Sequence, residues 1–140
     1  MTSSGPAEPG RDCPCGRGGT FGGVLPYERC CGRYLDDAGT PAPDAESLMR
    51  SRYTAYALHR DAYVLHTWDR ATRPARLRID AGVEWTGLQV LDHRATGPDA
   101  AEVRFVATYR DRSGRAGRIA ENSRFARGPA GWTYVDGDVD

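Results

Sequence analysis

Four cysteines carry the most specific chemistry in this chain. Cys13 and Cys15 are one residue apart, Cys30 and Cys31 follow after a spacer of fourteen, and the sequence has no other cysteine. Four thiolates within nineteen residues can close a tetrahedral shell around one zinc ion. Zinc suits four soft ligands because its filled d shell makes no demand on their geometry. Pro14 stiffens the turn between the first pair, and Gly16 lets the backbone fold back. Around the second pair, Pro26 fits the first position of a one-turn helix and Gly32 the left-handed residue after its end. Arg11, Arg17, Arg29 and Arg33 flank the ligands. They can offset the charge of about −2 on a zinc–tetrathiolate centre, and backbone amides can donate to the sulfurs. Two alternatives remain. Disulfides would strain an adjacent cysteine pair, and a redox thiol would lack a C-x-x-C pair or a nearby histidine. A closed four-sulfur shell leaves no position for a substrate, so the metal is expected to be structural.

The second chemical candidate is a carboxylate on an inward face. Ile119, Glu121, Ser123 and Phe125 share one parity of an alternating stretch, which puts two polar groups where a core should be. A buried carboxylate needs a partner, and Arg50, Arg52 and Tyr53 on the preceding helical stretch are the expected ones. Trp85 is expected to line the same space. Three readings compete: an internal salt bridge locking helix to sheet, a polar floor that binds a small polar or anionic ligand, and Glu121 as a general base. Trp68, Trp85 and Trp132, with Tyr53, Tyr56 and Tyr109, read as core and cavity lining rather than a base-stacking platform. Arg70, Arg73, Arg76 and Arg78 read as a solvated face, with an acidic or phosphate partner as the alternative. His59, His66 and His93 are scattered and receive no metal role.

The elements that position these groups follow from periodicity. Residues 1–11 are rich in Gly, Pro and Ser and are expected to be a disordered tail. Residues 12–35 form the cysteine module, too poor in large apolar side chains to fold without a staple. DDAGTPAP at 36–43 reads as a linker or a tight turn. Asp44 is suited to cap a helix running to Leu58, with Leu48, Met49, Arg52, Tyr53, Tyr56 and Ala57 on one side. Asp61 is suited to cap a second helix through Trp68, with Val64, Leu65 and Trp68 inward, and Pro74 to open a short third over RPARLRID. The pattern then turns to strands at 86–93, 101–110, 118–127 and 132–136, separated by turn signals at Gly114 and at 128–131. Val103, Phe105, Ala107 and Tyr109 share one face; Arg104, Thr108 and Arg110 share the other. Helices followed by an antiparallel meander define an α+β order.

Composition narrows the function classes. The chain has 140 residues, 19 basic and 19 acidic, and every basic residue is arginine. The balance argues against a nucleic-acid partner, and the lack of lysine excludes Schiff-base chemistry. The start, MTSSGPAEPG, has no charged and apolar leader pattern, and no apolar run approaches membrane-span length. A cytoplasmic protein is the expectation, in a compartment where clustered thiols hold metal more often than disulfides.

The string CPCGRGG…ERCCG at 13–32 resembles the SEC-C motif, a small zinc module known from the tail of the SecA translocation motor. PAPDAESLMRSRYTAYAL at 41–58, DAYVLHTW at 61–68, EWTGLQVL at 84–91, VRFVATYR at 103–110, ENSRF at 121–125 and GWTYVDG at 131–137 resemble the YchJ family. The resemblance covers residues 12–137. It implies a nuclear-transport-factor-2-like domain over 44–137, with helices packed on a curved antiparallel sheet to form an open cone. The SEC-C likeness implies contact with a protein or ribosomal partner, for which Arg17, Arg29 and Arg33 are the candidate residues. Three departures stand out. The fourteen-residue spacer is long for the motif, and GGTFGGVLP at 18–26 reads as an insertion that loops out. No second cysteine set follows, as it does in many relatives. Asp69 stands where relatives tend to have His. With no nucleophile–base pair identified, a binding or adaptor role is favoured over catalysis, whose presence stays open; an isomerase- or hydrolase-type pocket in the cone is the alternative. Ligand, partner and oligomeric state are not encoded legibly.

Overall fold

The computed structural model describes residues 10–140, so the tail expected over 1–11 lies almost wholly outside the described residues. Four antiparallel strands follow in simple meander order: β1 (Glu84–Gly97), β2 (Ala100–Arg110), β3 (Ala116–Gly128) and β4 (Gly131–Val139). Register shifts at Trp85/Gly87, Val90/Asp92 and Ala95/Gly97 in β1, and at Arg124/Phe125 in β3, mark irregularities that bend a twisted sheet. On β2, Val103 and Ala107 are buried while Thr108 and Arg110 are exposed, as the alternation requires.

Helix α2 (Ala45–Ala57) lies across the sheet, preceded by a 3₁₀ turn (Tyr27–Arg29) and a one-turn α1 (Gly32–Leu35). Its start is set by Asp44, whose carboxylate accepts from the Ser47 amide at 2.7 Å. Nine of its residues are buried, Ala45, Ser47, Leu48, Met49, Ser51, Arg52, Tyr53, Thr54 and Ala55, because the helix is covered on two sides. One side meets the sheet and the other the cysteine module. Cys13, Cys15, Tyr27, Cys30 and Cys31 join Leu48, Met49, Tyr53, Val103 and Phe125 in one buried cluster. The segment at 36–43 is a docked turn. Asp37 accepts from the Gly39 amide and the Thr40 hydroxyl, and Ala42 is buried.

Three local expectations need correction. Helix α3 spans Asp61–His66, and Asp61 is its first residue rather than a capping one. It stops before Trp68 because the chain turns into pairing with β4: Tyr134 N donates to Thr67 O, and Asp69 N to Tyr134 O. No helix forms over RPARLRID at 73–80. Leu77 and Ile79 face inward against Ala55 and Val64 while Arg76, Arg78 and Asp80 face out, a period of two that belongs to an extended strap. Gly32 does not end a helix in the left-handed region; it opens α1. A Cβ there would sit 2.8 Å from both the Tyr27 ring and the Tyr27 carbonyl, so close approach is what requires glycine.

A four-cysteine centre and an aromatic cavity on two sides of one helix

The chain folds back at Gly16, whose φ is +74°, and a narrow hairpin over 17–25 returns it towards the second cysteine pair. Arg17 and Leu25 pair through Leu25 N to Arg17 O, and Cys13 N donates to Leu25 O. The 18–26 stretch therefore does loop out, with the Phe21 side chain wholly exposed at its tip. This closure brings the sulfurs of Cys13, Cys15, Cys30 and Cys31 within 4.8 Å of one another, all four buried. Cys15 and Cys30 are 3.5 Å apart and all four thiols are free, so none is a disulfide. Ligands at about 2.3 Å in a tetrahedron stand about 3.8 Å from each other, a spacing that lies within the 4.8 Å limit on the observed sulfurs.

The four thiols perturb one another strongly. Hydrogen bonds from the neighbouring thiols, Cys15 first, pull the Cys13 thiol far down. The Cys31 thiol is pushed well up by the sulfurs of Cys13, Cys15 and Cys30 and then by burial. Four thiolates cannot share that volume without a positive charge among them. A metal ion would supply it, and four buried sulfurs this close together could hold one.

Helix α2 provides the surrounding contacts. The Thr54 hydroxyl lies 3.8 Å from the Cys13 sulfur. Arg50 Nη1 donates to the Cys15 carbonyl at 3.1 Å and sits 3.9 Å from its sulfur, while Arg50 Nε is held by Glu46 at 2.9 Å. The arginine facing the sulfurs thus comes from α2 rather than from the cysteine segment. Arg17 bonds Ser47 and approaches Glu46; Arg33 bonds the Cys30 carbonyl and lies over Tyr34; Arg29 is exposed. A signal was available: Glu46, Arg50 and Thr54 recur every four residues, a polar stripe on a buried helix.

The adjoining stripe of α2 holds Met49, Arg52, Tyr53 and Tyr56, and it roofs a cavity of about 280 Å³. Trp68 and Trp85 form walls, and Phe105, Ala107, Ile119, Glu121, Ser123, Phe125 and Tyr134 rise from the sheet. Of the residues expected there, Arg52, Tyr53, Trp85, Glu121 and Ser123 come together; Arg50 does not, being turned towards the cysteines. Nor does an arginine pair directly with Glu121. Its Oε2 accepts from the Ser123 hydroxyl at 2.6 Å and from the Tyr134 hydroxyl at 3.0 Å. Burial first, then the Glu121 charge, raises the Tyr134 phenol, which stays neutral and donates. Gly137, opposite Ser123 on β4, makes room: a Cβ there would lie 2.2 Å from Glu121 Oε2. Arg52, 7% exposed, spends Nη1 on the Val64 carbonyl and the Thr67 hydroxyl, each at 2.8 Å. Its guanidinium sits 4.5 Å from the Tyr134 ring centre and 5.1 Å from that of Trp68. Tyr134 is the residue that sequence reasoning missed; its parity with Trp132 on β4 was the usable signal.

Helices on an antiparallel meander, with a four-cysteine centre docked on the first long helix, define a SEC-C module joined to an NTF2-like domain. The chain belongs to the YchJ family, whose middle NTF2-like domain matches residues 44–137. It is 53% identical over 132 residues to a UPF0225 protein from Polaromonas sp. (strain JS666), covering 94% of this chain and 95% of that one. A UPF0225 protein from Xanthomonas campestris is 46% identical over 138 residues, with 97% and 98% covered. Among solved structures, a SEC-C motif containing protein from Psychrobacter arcticus superposes with a TM-score of 0.76 at 28% identity, covering 90% of this chain and 81% of that one. A SEC-C motif containing protein from Rhodopseudomonas palustris gives 0.75 at 29% identity, covering 91% and 98%. Among the described residues, no helix is long and apolar enough to cross a membrane.

Proposed function

We propose that this chain is a zinc-stapled binding protein of the cytoplasm, with its functional site in the cone. Zinc is the ion that four thiolates suit best. With all four positions taken by buried sulfur, it acts as a staple and offers no site for substrate. The observation that carries the binding role is the aromatic cavity with a carboxylate on its floor, the usual form of a small-molecule site. Native mass spectrometry of freshly purified protein should show one zinc and, in a fraction of molecules, a small adduct lost on denaturation. Ala107→Phe, which projects a ring into the cavity, should abolish the adduct and keep the zinc. An adduct unaffected by that change would place the ligand elsewhere.

A second reading is docking of a protein or ribosomal partner through the cysteine module. The exposed Phe21 and Arg29 favour it, whereas Arg17 and Arg33 are engaged within the fold. Alanine at Arg17, Arg29 and Arg33 should weaken a salt-sensitive pull-down without loss of zinc. Binding retained in all three variants removes this reading.

A further inference from the structure

The cavity has more to say about its ligand than its size. Only two of its lining side chains carry formal charge at neutral pH, Arg52 and Glu121. They are opposite in sign and are linked through Tyr134, whose ring lies under the guanidinium and whose hydroxyl bonds the carboxylate. The site is therefore electrically balanced before anything enters it. A ligand with a net charge would leave that charge without a counterion among seven aromatic rings, which is costly in a poorly solvated space.

The two charged groups differ in what they leave free. Arg52 is almost fully buried; its Nη1 is bonded to Val64 and Thr67, and its guanidinium lies over the rings of Tyr134 and Trp68. Glu121 is only partly buried. Its two donors, Ser123 and Tyr134, both bond Oε2, and no donor among the described residues reaches Oε1. Glu121 lines the cavity, and with Oε1 taken by no donor from the described residues it keeps an acceptor to offer a ligand. The walls, made of the rings of Tyr53, Tyr56, Trp68, Trp85, Phe105 and Tyr134, suit a flat body that stacks edge or face. At about 280 Å³ the space lies just below the usual range for ligand pockets, which calls for a small ligand.

From this we infer that the cavity takes a small, planar ring compound of no net charge, oriented by an N–H or O–H group that donates to Glu121 Oε1. This rests on the pocket reading above and specifies its ligand class. Four probes sharing one ring separate the terms: indole, 1-methylindole, which lacks the donor, tryptamine, a cation, and indole-3-acetate, an anion. The full chain with zinc bound is titrated with each, following the side-chain N–H signals of Trp68 and Trp85 by NMR, with Trp132, outside the cavity lining, as the internal control. Indole should bind at least fivefold more tightly than each of the other three. In Glu121→Gln its advantage over 1-methylindole should shrink below twofold. Equal binding of indole and 1-methylindole, or tighter binding of either charged probe at the same signals, overturns the ligand class and leaves the pocket standing. If none of the four shifts Trp68 or Trp85, the pocket and the ligand class both fall.

Discussion

Arg50 holds one cysteine by two of its atoms: its Nη1 lies 3.1 Å from the Cys15 carbonyl oxygen and 3.9 Å from the Cys15 sulfur. The same side chain is clamped to Glu46 one turn earlier on α2. The four-cysteine cluster and the roof of the cavity therefore lie on two sides of a single helix. Partners of this kind, which hold a metal's own ligands in place, usually change metal affinity by about 10–100-fold when removed. Arg50→Met should weaken zinc retention by about that factor in a chelator competition while the chain remains folded in excess zinc. An affinity within twofold of wild type would mean that Arg50 only packs.

Glu121 depends on the absence of a side chain at Gly137. A Cβ there would sit 2.2 Å from Oε2 and 2.7 Å from the carboxyl carbon, so the carboxylate would have to leave Ser123 and Tyr134. Gly137→Ala should cost about 1–3 kcal/mol, the usual range for overpacking. Gly128, on β3, has nothing within 4 Å of an added Cβ, so Gly128→Ala serves as the matched control and should stay near neutral. Urea denaturation of both variants checks this; equal stabilities would refute the crowding at Gly137.

Five buried or half-buried tyrosines set an alkaline limit. Burial pushes Tyr53 and Tyr63 up to about 12 from an ordinary value near 10, and raises Tyr27, Tyr56 and Tyr134 as well. A raised pKa means the folded state keeps protons that the unfolded chain gives up first. Stability from these groups is intact below pH 10 and falls as pH climbs from 10 through 12. Tyrosinate absorbance at 295 nm should appear cooperatively, together with loss of circular dichroism. A gradual rise centred near pH 10, with the fold intact, would contradict the burial of these rings.

The elements governed by strong periodicity were legible. Asp44 announced the start of α2, and Val103, Phe105 and Ala107 announced the inward face of β2. The cysteine pairs announced a cluster of four sulfurs that could hold a metal ion, because ligand type and spacing leave few other uses for four thiols. What was not legible depends on three-dimensional neighbours. Pro74 reads as a helix start, but Leu77 and Ile79 follow the period of a strap. Gly32 reads as a helix end, yet it is glycine because a Cβ there would lie 2.8 Å from Tyr27. Arg50 and Arg52 look equivalent in sequence, two residues apart, but a helix turns them to different sides, one to sulfur and one to the aromatic cavity. One partner of Glu121, Ser123, lies on its own strand, but the other, Tyr134, comes from β4, and only the pairing of β3 with β4 brings it there.

Metal content by mass, measured together with free thiols on the wild-type chain and on Cys13→Ser, Cys15→Ser, Cys30→Ser and Cys31→Ser, tests the four-sulfur centre most directly. One zinc per wild-type chain is expected, with no disulfide and with zinc retention lost or weakened by at least tenfold in every single variant. A wild-type chain that binds no divalent metal after reconstitution, or a serine variant that holds zinc as tightly as wild type, would show that the four sulfurs are not one shell.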